Sequence, residues 1–304
     1  MSSEKDNSHK RFNEHSEFLS QKYQNLKDAF RKAHYVIEKI LSDLRNNVIA
    51  SDVIEKTLVL KRIIKEAKDF ANPLLIQTYS EVHNESITCV KVSTCGKFVI
   101  TVSNDLHLKQ FNMKSEQLDF DYGKIHDDYI YCMDTVDDWI FTGSKDRSLK
   151  QFSISKKCLI HSFEKVHESS IASLKISACK NFVFTGSKDR TLKQCNIQNK
   201  NLECDFGSIH DSLIRSICVT SNNKYVITGS ANADLKVTDI QTQKTYRDFS
   251  KVHSDYIMCI VLAKNDDHIF TSSADKTIKI FSIEKSQLLY DFGAVHGDSI
   301  YALY

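Results

Sequence analysis

The segment "FTGSKDRTLKQC" at Phe184–Cys195 nearly repeats "FTGSKDRSLKQF" at Phe141–Phe152, forty-three residues earlier. Each phrase has a short apolar run, a polar Ser-Lys-Asp-Arg tip and a second run in which apolar and polar residues alternate. That is the pattern of two strands joined by a tight turn. The same period governs the chain outward from these phrases. Six histidines, His83, His126, His167, His210, His253 and His296, stand 43, 41, 43, 43 and 43 residues apart. Four positions before each is an aromatic residue (Tyr79, Tyr122, Phe163, Phe206, Phe249, Phe292), and directly before each is Val or Ile. Four positions after each is Ile87, Ile130, Ile171, Ile214, Ile257 or Ile300. A period of about 40 residues marks a repeat architecture.

Within the third unit, "KCLIHSFE", "IASLKIS", "FVFTGS" and "TLKQCNI" are four runs of strand length separated by polar turns. One such sheet cannot cover both of its faces, so neighbouring units must stack on it. Four-stranded units repeated side by side describe the blades of a β-propeller. From Leu74 to Tyr304 the chain resembles the WD-repeat (transducin-like) propeller family. The resemblance implies a hydrogen-bonded network in each blade. Its loop histidines are the six named above, and its strand hydroxyls are Thr101, Thr142, Thr185, Thr228 and Thr271. Its turn carboxylates are Asp105, Asp146, Asp189 and Asp275, with Asn232 in the fourth unit. Two positions depart from the family. Val or Ile replaces the glycine before each histidine, and the tryptophan position holds Phe111, Phe152, Cys195, Thr238 and Phe281. The Asp of the name-giving dipeptide survives only as Asp239. The indole donor is therefore lost everywhere, leaving a His–Thr–Asp network whose carboxylate can accept from the histidine and from turn amides.

Five units are complete. A sixth supplies "QLLYDFG", His296 and "SIYALY". The resemblance implies a ring of seven blades closed by the first outer strand. The expectation is five complete blades plus a partial one, with an unpaired outer strand near Leu74–Tyr79 and an unpaired inner strand near Ser299–Tyr304. On this count the chain is a fragment of a longer protein.

Two domains are expected, a helical segment over residues 1–72 and the propeller over residues 73–304. In the first, Phe12, Leu19, Tyr23, Leu26, Phe30, Ala33, Ile37, Ile40 and Leu44 follow a heptad stripe. Val36 and Leu41 widen it, and Asn46-Asn47 breaks it. Ser51, Asp52 and Glu55 start a second helix that Asn72-Pro73 ends. A helical hairpin and a coiled coil joining two copies both fit this pattern.

Lys+Arg is 41 and Asp+Glu is 39, so no global charge draws the chain to nucleic acid or a membrane surface. The opening residues have no apolar core and are not a secretory signal. The nine cysteines contain no C-x-x-C pair, read as small buried apolar residues and, with no export signal, favour the cytosol or nucleus. One proline and eight glycines are few for so many turns, so Asn, Asp and Ser are expected to supply the turn chemistry.

A Thr/Asp/His set copied in nearly every unit has a structural job, since a catalytic triad appears once. The histidines stand one per unit, too dispersed for a metal site. No catalytic residue, metal or cofactor is expected. Lys145, Arg147, Lys150, Lys188, Arg190 and Lys193 form a local basic stripe, read as solvated turn charges rather than an RNA site. The expected function is a non-catalytic protein–protein interaction scaffold. A ubiquitin-ligase substrate receptor, an RNA-binding propeller and an enzyme using the channel are the alternatives. The loops after the histidines vary ("NES", "DDY", "ESS", "DSL", "SDY", "GDS") on an otherwise uniform frame. Tyr129, Arg215 and Tyr256 are the expected partner contacts there, because Tyr and Arg dominate interface hot spots.

Overall fold

A computed structural model describes residues 82–303. They lie in the second of the two units into which the chain divides, Tyr79–Tyr304. The expected helices of residues 1–72, the boundary at residue 72 and the strand near Leu74–Tyr79 lie outside the described residues.

The described residues form twenty strands in five four-stranded antiparallel sheets, each a meander in sequence order. Blade one is β1 (Ile87–Val92), β2 (Phe98–Ser103), β3 (His107–Asn112) and β4 (Gln117–Lys124). Blade two is β5 (Ile130–Val136), β6 (Trp139–Ser144), β7 (Leu149–Ser153) and β8 (Cys158–Phe163). Blade three is β9 (Ile171–Ile176), β10 (Phe182–Ser187), β11 (Thr191–Asn196) and β12 (Asn201–Ser208). Blade four is β13 (Ile214–Val219), β14 (Tyr225–Ser230), β15 (Leu235–Asp239) and β16 (Thr245–Phe249). Blade five is β17 (Ile257–Leu262), β18 (His268–Ser273), β19 (Thr277–Ser282) and β20 (Gln287–Ala294). The inner strands touch in order, β1 to β5, β5 to β9, β9 to β13 and β13 to β17. The described part of Ser299–Tyr304 is bonded to blade five through Ile300 N–H to Ser273 O (3.1 Å), Ser272 Oγ to Ile300 O (3.0 Å), Ser299 Oγ to Ala274 O (3.4 Å) and Cys259 Sγ to Leu303 O (3.9 Å). It joins no ladder, in keeping with the unpaired segment expected there.

The core lies between blades. Ile100, Leu108, Ile130, Met133 and Phe152 join blades one and two, and Phe141, Leu149, Ile171 and Leu174 join two and three. Phe184, Leu192, Ile214 and Ile217 join three and four, and Leu235, Val237, Ile257, Ile260 and Phe281 join four and five. The recurrent isoleucine anchors each seam. Ile130, Ile171, Ile214 and Ile257 are fully buried, whereas Ile87, with no described blade before it, is 45% exposed. Gly143, Gly186 and Gly229 receive these side chains. A Cβ on Gly186 would lie 2.5 Å from Ile214 Cγ2, so a larger residue there must push blades three and four apart.

Every inner strand carries a register shift just after its isoleucine. The unpaired residues are Thr88, Tyr131, Ala172, Arg215 and Met258. A bulge of this kind resets alternation, so burial falls at the isoleucine and then three positions on, as at Met133, Leu174, Ile217 and Ile260.

The turns depart from one expectation. Among the described residues, sixteen other than glycine have positive φ, and eight of them are Lys or Arg, including Arg147, Arg190 and Lys276 just after the turn aspartates. Asn and Asp work beside them as caps. Asn112 Oδ1, for example, accepts from Lys114 N–H (2.9 Å) and Ser115 N–H (3.1 Å).

Candidate docking face and its histidine network

Each histidine precedes an inner strand, each threonine sits on the second strand, and each aspartate sits in the turn after it. The meander brings all three to one end of the blade. In blade two, His126 Nε2 is 2.8 Å from Thr142 Oγ1 and His126 Nδ1 is 2.8 Å from Asp146 Oδ2. Blade three repeats this with His167, Thr185 (2.9 Å) and Asp189 (3.1 Å). Blade five does so with His253, Thr271 (2.8 Å) and Asp275 (2.9 Å), and blade one with His83, Thr101 (2.8 Å) and Asp105 (2.9 Å).

The carboxylate also tethers the loop. The amides of Asn84, Asp127, Glu168 and Ser254 donate to Asp105, Asp146, Asp189 and Asp275 at 2.9–3.1 Å. Burial alone would raise these carboxyls. The bonds from His126 and Ser148, from His167 and Thr191, and from Thr277 and Ser254 outweigh it and hold Asp146, Asp189 and Asp275 well below the usual carboxylate range.

Two sets of hydroxyls complete the network. Ser148, Thr191 and Thr277 donate to the carboxylate two residues before them (2.6–2.7 Å) and stand 2.8–3.0 Å from the histidine Nδ1. Ser103, Ser144, Ser187 and Ser273 donate to loop carbonyls, as in Ser144 Oγ to Asp128 O (2.9 Å). They also accept from the turn aspartate amides, as Ser144 Oγ does from Asp146 N–H (3.0 Å). The sequence signal was present in the recurrent "GS" and in "DRS", "DRT" and "DKT".

Two network residues are placed otherwise than the sequence implied. His296 is exposed and makes no side-chain bond among the described residues; its Thr and Asp counterparts would fall beyond Tyr304. Asn232 does not hold His210. Its amide donates to Asp234 Oδ2 (2.6 Å), and Ser230 Oγ donates to Asn232 Oδ1. His210 keeps only Thr228 (2.8 Å) as a side-chain partner, and its Nδ1 is buried without one. The tryptophan positions are all buried, and among them Thr238 Oγ1 is also without a partner.

Tyr129 and Tyr256 stand on the loops of this face, 45% and 48% exposed. Lys145 lies 5.2 Å over the Tyr129 ring and pairs with Asp128 at 3.1 Å. Arg215 differs from both tyrosines. As a bulge residue it is half-buried, and its Nε donates to Met258 Sδ (3.1 Å) on the next inner strand.

In the basic stripe, Lys145 and Lys193 are paired with Asp128 and Asp205, and Lys150 donates to Ile125 O. On the inner strands, Asp134 lies 3.6 Å from Lys91 and 3.0 Å from Lys175 and accepts from Ile176 N–H (3.2 Å). This polar cluster escaped the sequence reading. It ties blades one, two and three together, and its carboxylate is already engaged by three donors. The cysteines are less uniform than their buried reading. Cys195 is buried and its thiol is pushed up to about 12, but Cys95, Cys158 and Cys179 are exposed in turns and at a strand edge.

No curated protein matches the chain. The family model described as "WD domain, G-beta repeat" matches residues 74–112, 123–153, 157–196, 206–239 and 243–282. The second and later matches run from the outer strand of one blade to the third strand of the next, so the sequence repeat and the blade are offset by one strand. The offset links successive blades, a His–Thr pair recurs in all five, and the matches cover more than half of the sequence; the chain therefore belongs to the WD-repeat family of β-propellers.

Proposed function

We propose that the protein is a non-catalytic docking platform that binds other proteins through the face carrying the histidine loops. Proteins of this family generally mediate protein–protein interaction and are typically non-catalytic, which supports the class. The observation that carries the choice of face is the pair of exposed tyrosines, Tyr129 and Tyr256. The turn bonds beneath them fix their loops, so a partner meets a preformed surface. Both aspartates preceding them cap the tyrosine amide, Asp128 at 2.8 Å and Asp255 at 2.7 Å. Arg215, half-buried against Met258 at the start of an inner strand, is the third residue of the proposed surface. A location in the cytosol or nucleus and self-association through residues 1–72 belong to the same proposal.

The test is Tyr129→Ala with Arg215→Ala and Tyr256→Ala in the intact protein, followed by affinity purification. Loss of a co-purifying protein with unchanged circular dichroism is the expected result. Retention of every partner at unchanged affinity would transfer the role to residues 1–72.

A further inference from the structure

Blade four has the same topology as its neighbours but not the same fastening. In blades one, two, three and five the loop after the histidine is held by three side-chain tethers. These are histidine to carboxylate, the next amide to the same carboxylate, and the strand-end serine to a loop carbonyl. In blade four all three are missing among the described residues. Asn232 turns to Asp234, Ser230 turns to Asn232, and the amide of Asp211 meets no carboxylate. What remains is His210 Nε2 to Thr228, Ser208 Oγ to His210 O (3.1 Å) and Ala231 N–H to Leu213 O (2.9 Å).

We propose that the loop of residues 208–213 is an acid-released latch, which protonation of His210 detaches from blade four while the matching loops of the other described blades stay closed.

His210 is 2% exposed, and a proton on its Nδ1 would add a buried positive charge with no acceptor. The groups that face it are turned to other partners and supply none. Asp234 Oδ2 is taken by Asn232, and its Oδ1 accepts Lys251 N–H at 2.8 Å. On β15 and β16, Lys236 and Asp248 are paired at 3.1 Å. From β14, Thr228 already occupies Nε2. Burial first, then Lys236, against the weaker pull of Asp234 and Asp248, holds the His210 pKa down to about 4. The open loop restores an ordinary imidazole near 6.5. A site whose closed form binds its proton less tightly than its open form is stable above the open value. It loses stability as pH falls from about 6.5 towards 4, with no further loss below that. In the other described blades a carboxylate lies against Nδ1. At His83 and His253 its pull opposes burial, which still holds both below the ordinary imidazole value, whereas His210 has no such partner at all.

The latch itself stands apart from the docking function; its consequence, a changed surface beside Arg215, rests on that function. The test is amide hydrogen exchange on the whole protein, corrected for the pH dependence of the chemical rate. Protection at residues 208–213 should fall on the order of tenfold between about pH 7.5 and about pH 5. The loops at residues 84–86, 127–129, 168–170 and 254–256 should change far less. The pair Asn232→Asp with Asp234→Thr rebuilds the arrangement of blades three and five and should remove the selective loss. A uniform change across all loops, no change at residues 208–213, or an undiminished loss in the double variant would overturn the latch. Should the double variant not fold, the comparison among loops within the native protein decides alone.

Discussion

Blades three and four are adjacent, pair their first three strands in the same way, and both receive an isoleucine from the next blade on a second-strand glycine. At the seam they are nearly interchangeable; at the histidine loop they are opposites. His167 has three side-chain partners, a carboxylate and two hydroxyls, while His210 has one. The difference is set by two positions, Asp189 against Asn232 and Thr191 against Asp234. Blade four has a carboxylate, but two residues late, where it holds Lys251 N–H instead of the loop. Burial of the seam and fastening of the loop are therefore separate devices, and one can lapse while the other is kept.

The sharpest way to break the comparison is Asp189→Ala against Asn232→Ala. The first strips His167, Glu168 N–H and Thr191 of their acceptor and should cost about 3 kcal/mol in urea unfolding. The second should cost less than about 1 kcal/mol. Equal losses would show that the carboxylate is not what distinguishes the blades. Next, Gly186→Ala and Gly229→Ala should each cost about 2 kcal/mol, because both meet an isoleucine at under 3 Å. A marked inequality between them would place part of blade four's difference in the seam.

Acid unfolding separates the loop fastening of blade three from that of blade four. Asp146, Asp189 and Asp275 are held below their ordinary carboxylate values, so their contribution is complete above that range and is lost only as pH falls through about 4 and below. A spectroscopic probe in blade three should thus respond at lower pH than one in blade four. The smallest effect should come from Arg190→Gly. It relieves a left-handed backbone at φ 74° and should raise stability by about 0.5 kcal/mol in thermal unfolding.

The fold was legible because burial repeats. Six isoleucines in register with six histidines can arise only from units that each need the next, and blades one to five follow that register. The interior phase of the inner strands was harder to read. The bulge after each isoleucine moves burial from an even to an odd position, and no single residue type marks it. It also turns Arg215 along Met258. The network was legible where the family pattern was kept. Blade four defeated the reading because Asn232 occupies the right position in the chain, while the direction of its amide depends on Asp234, two residues away. The Asp134 bridge was hidden for a related reason. Lys91, Asp134 and Lys175 lie more than forty residues apart and meet only because three blades align.

Among the described residues, half of the left-handed turn residues outside glycine are lysine or arginine, so basic side chains mark many of the tips. A protease with tryptic specificity seeks such residues but needs an extended stretch of backbone, and a left-handed residue in a bonded turn is far from extended. The sites at Arg147, Arg190 and Lys276 are thus visible by chemistry and withheld by conformation. Cleavage at each must wait for its own turn to open, so the order in which native cuts appear is a map of local opening along the chain, blade by blade.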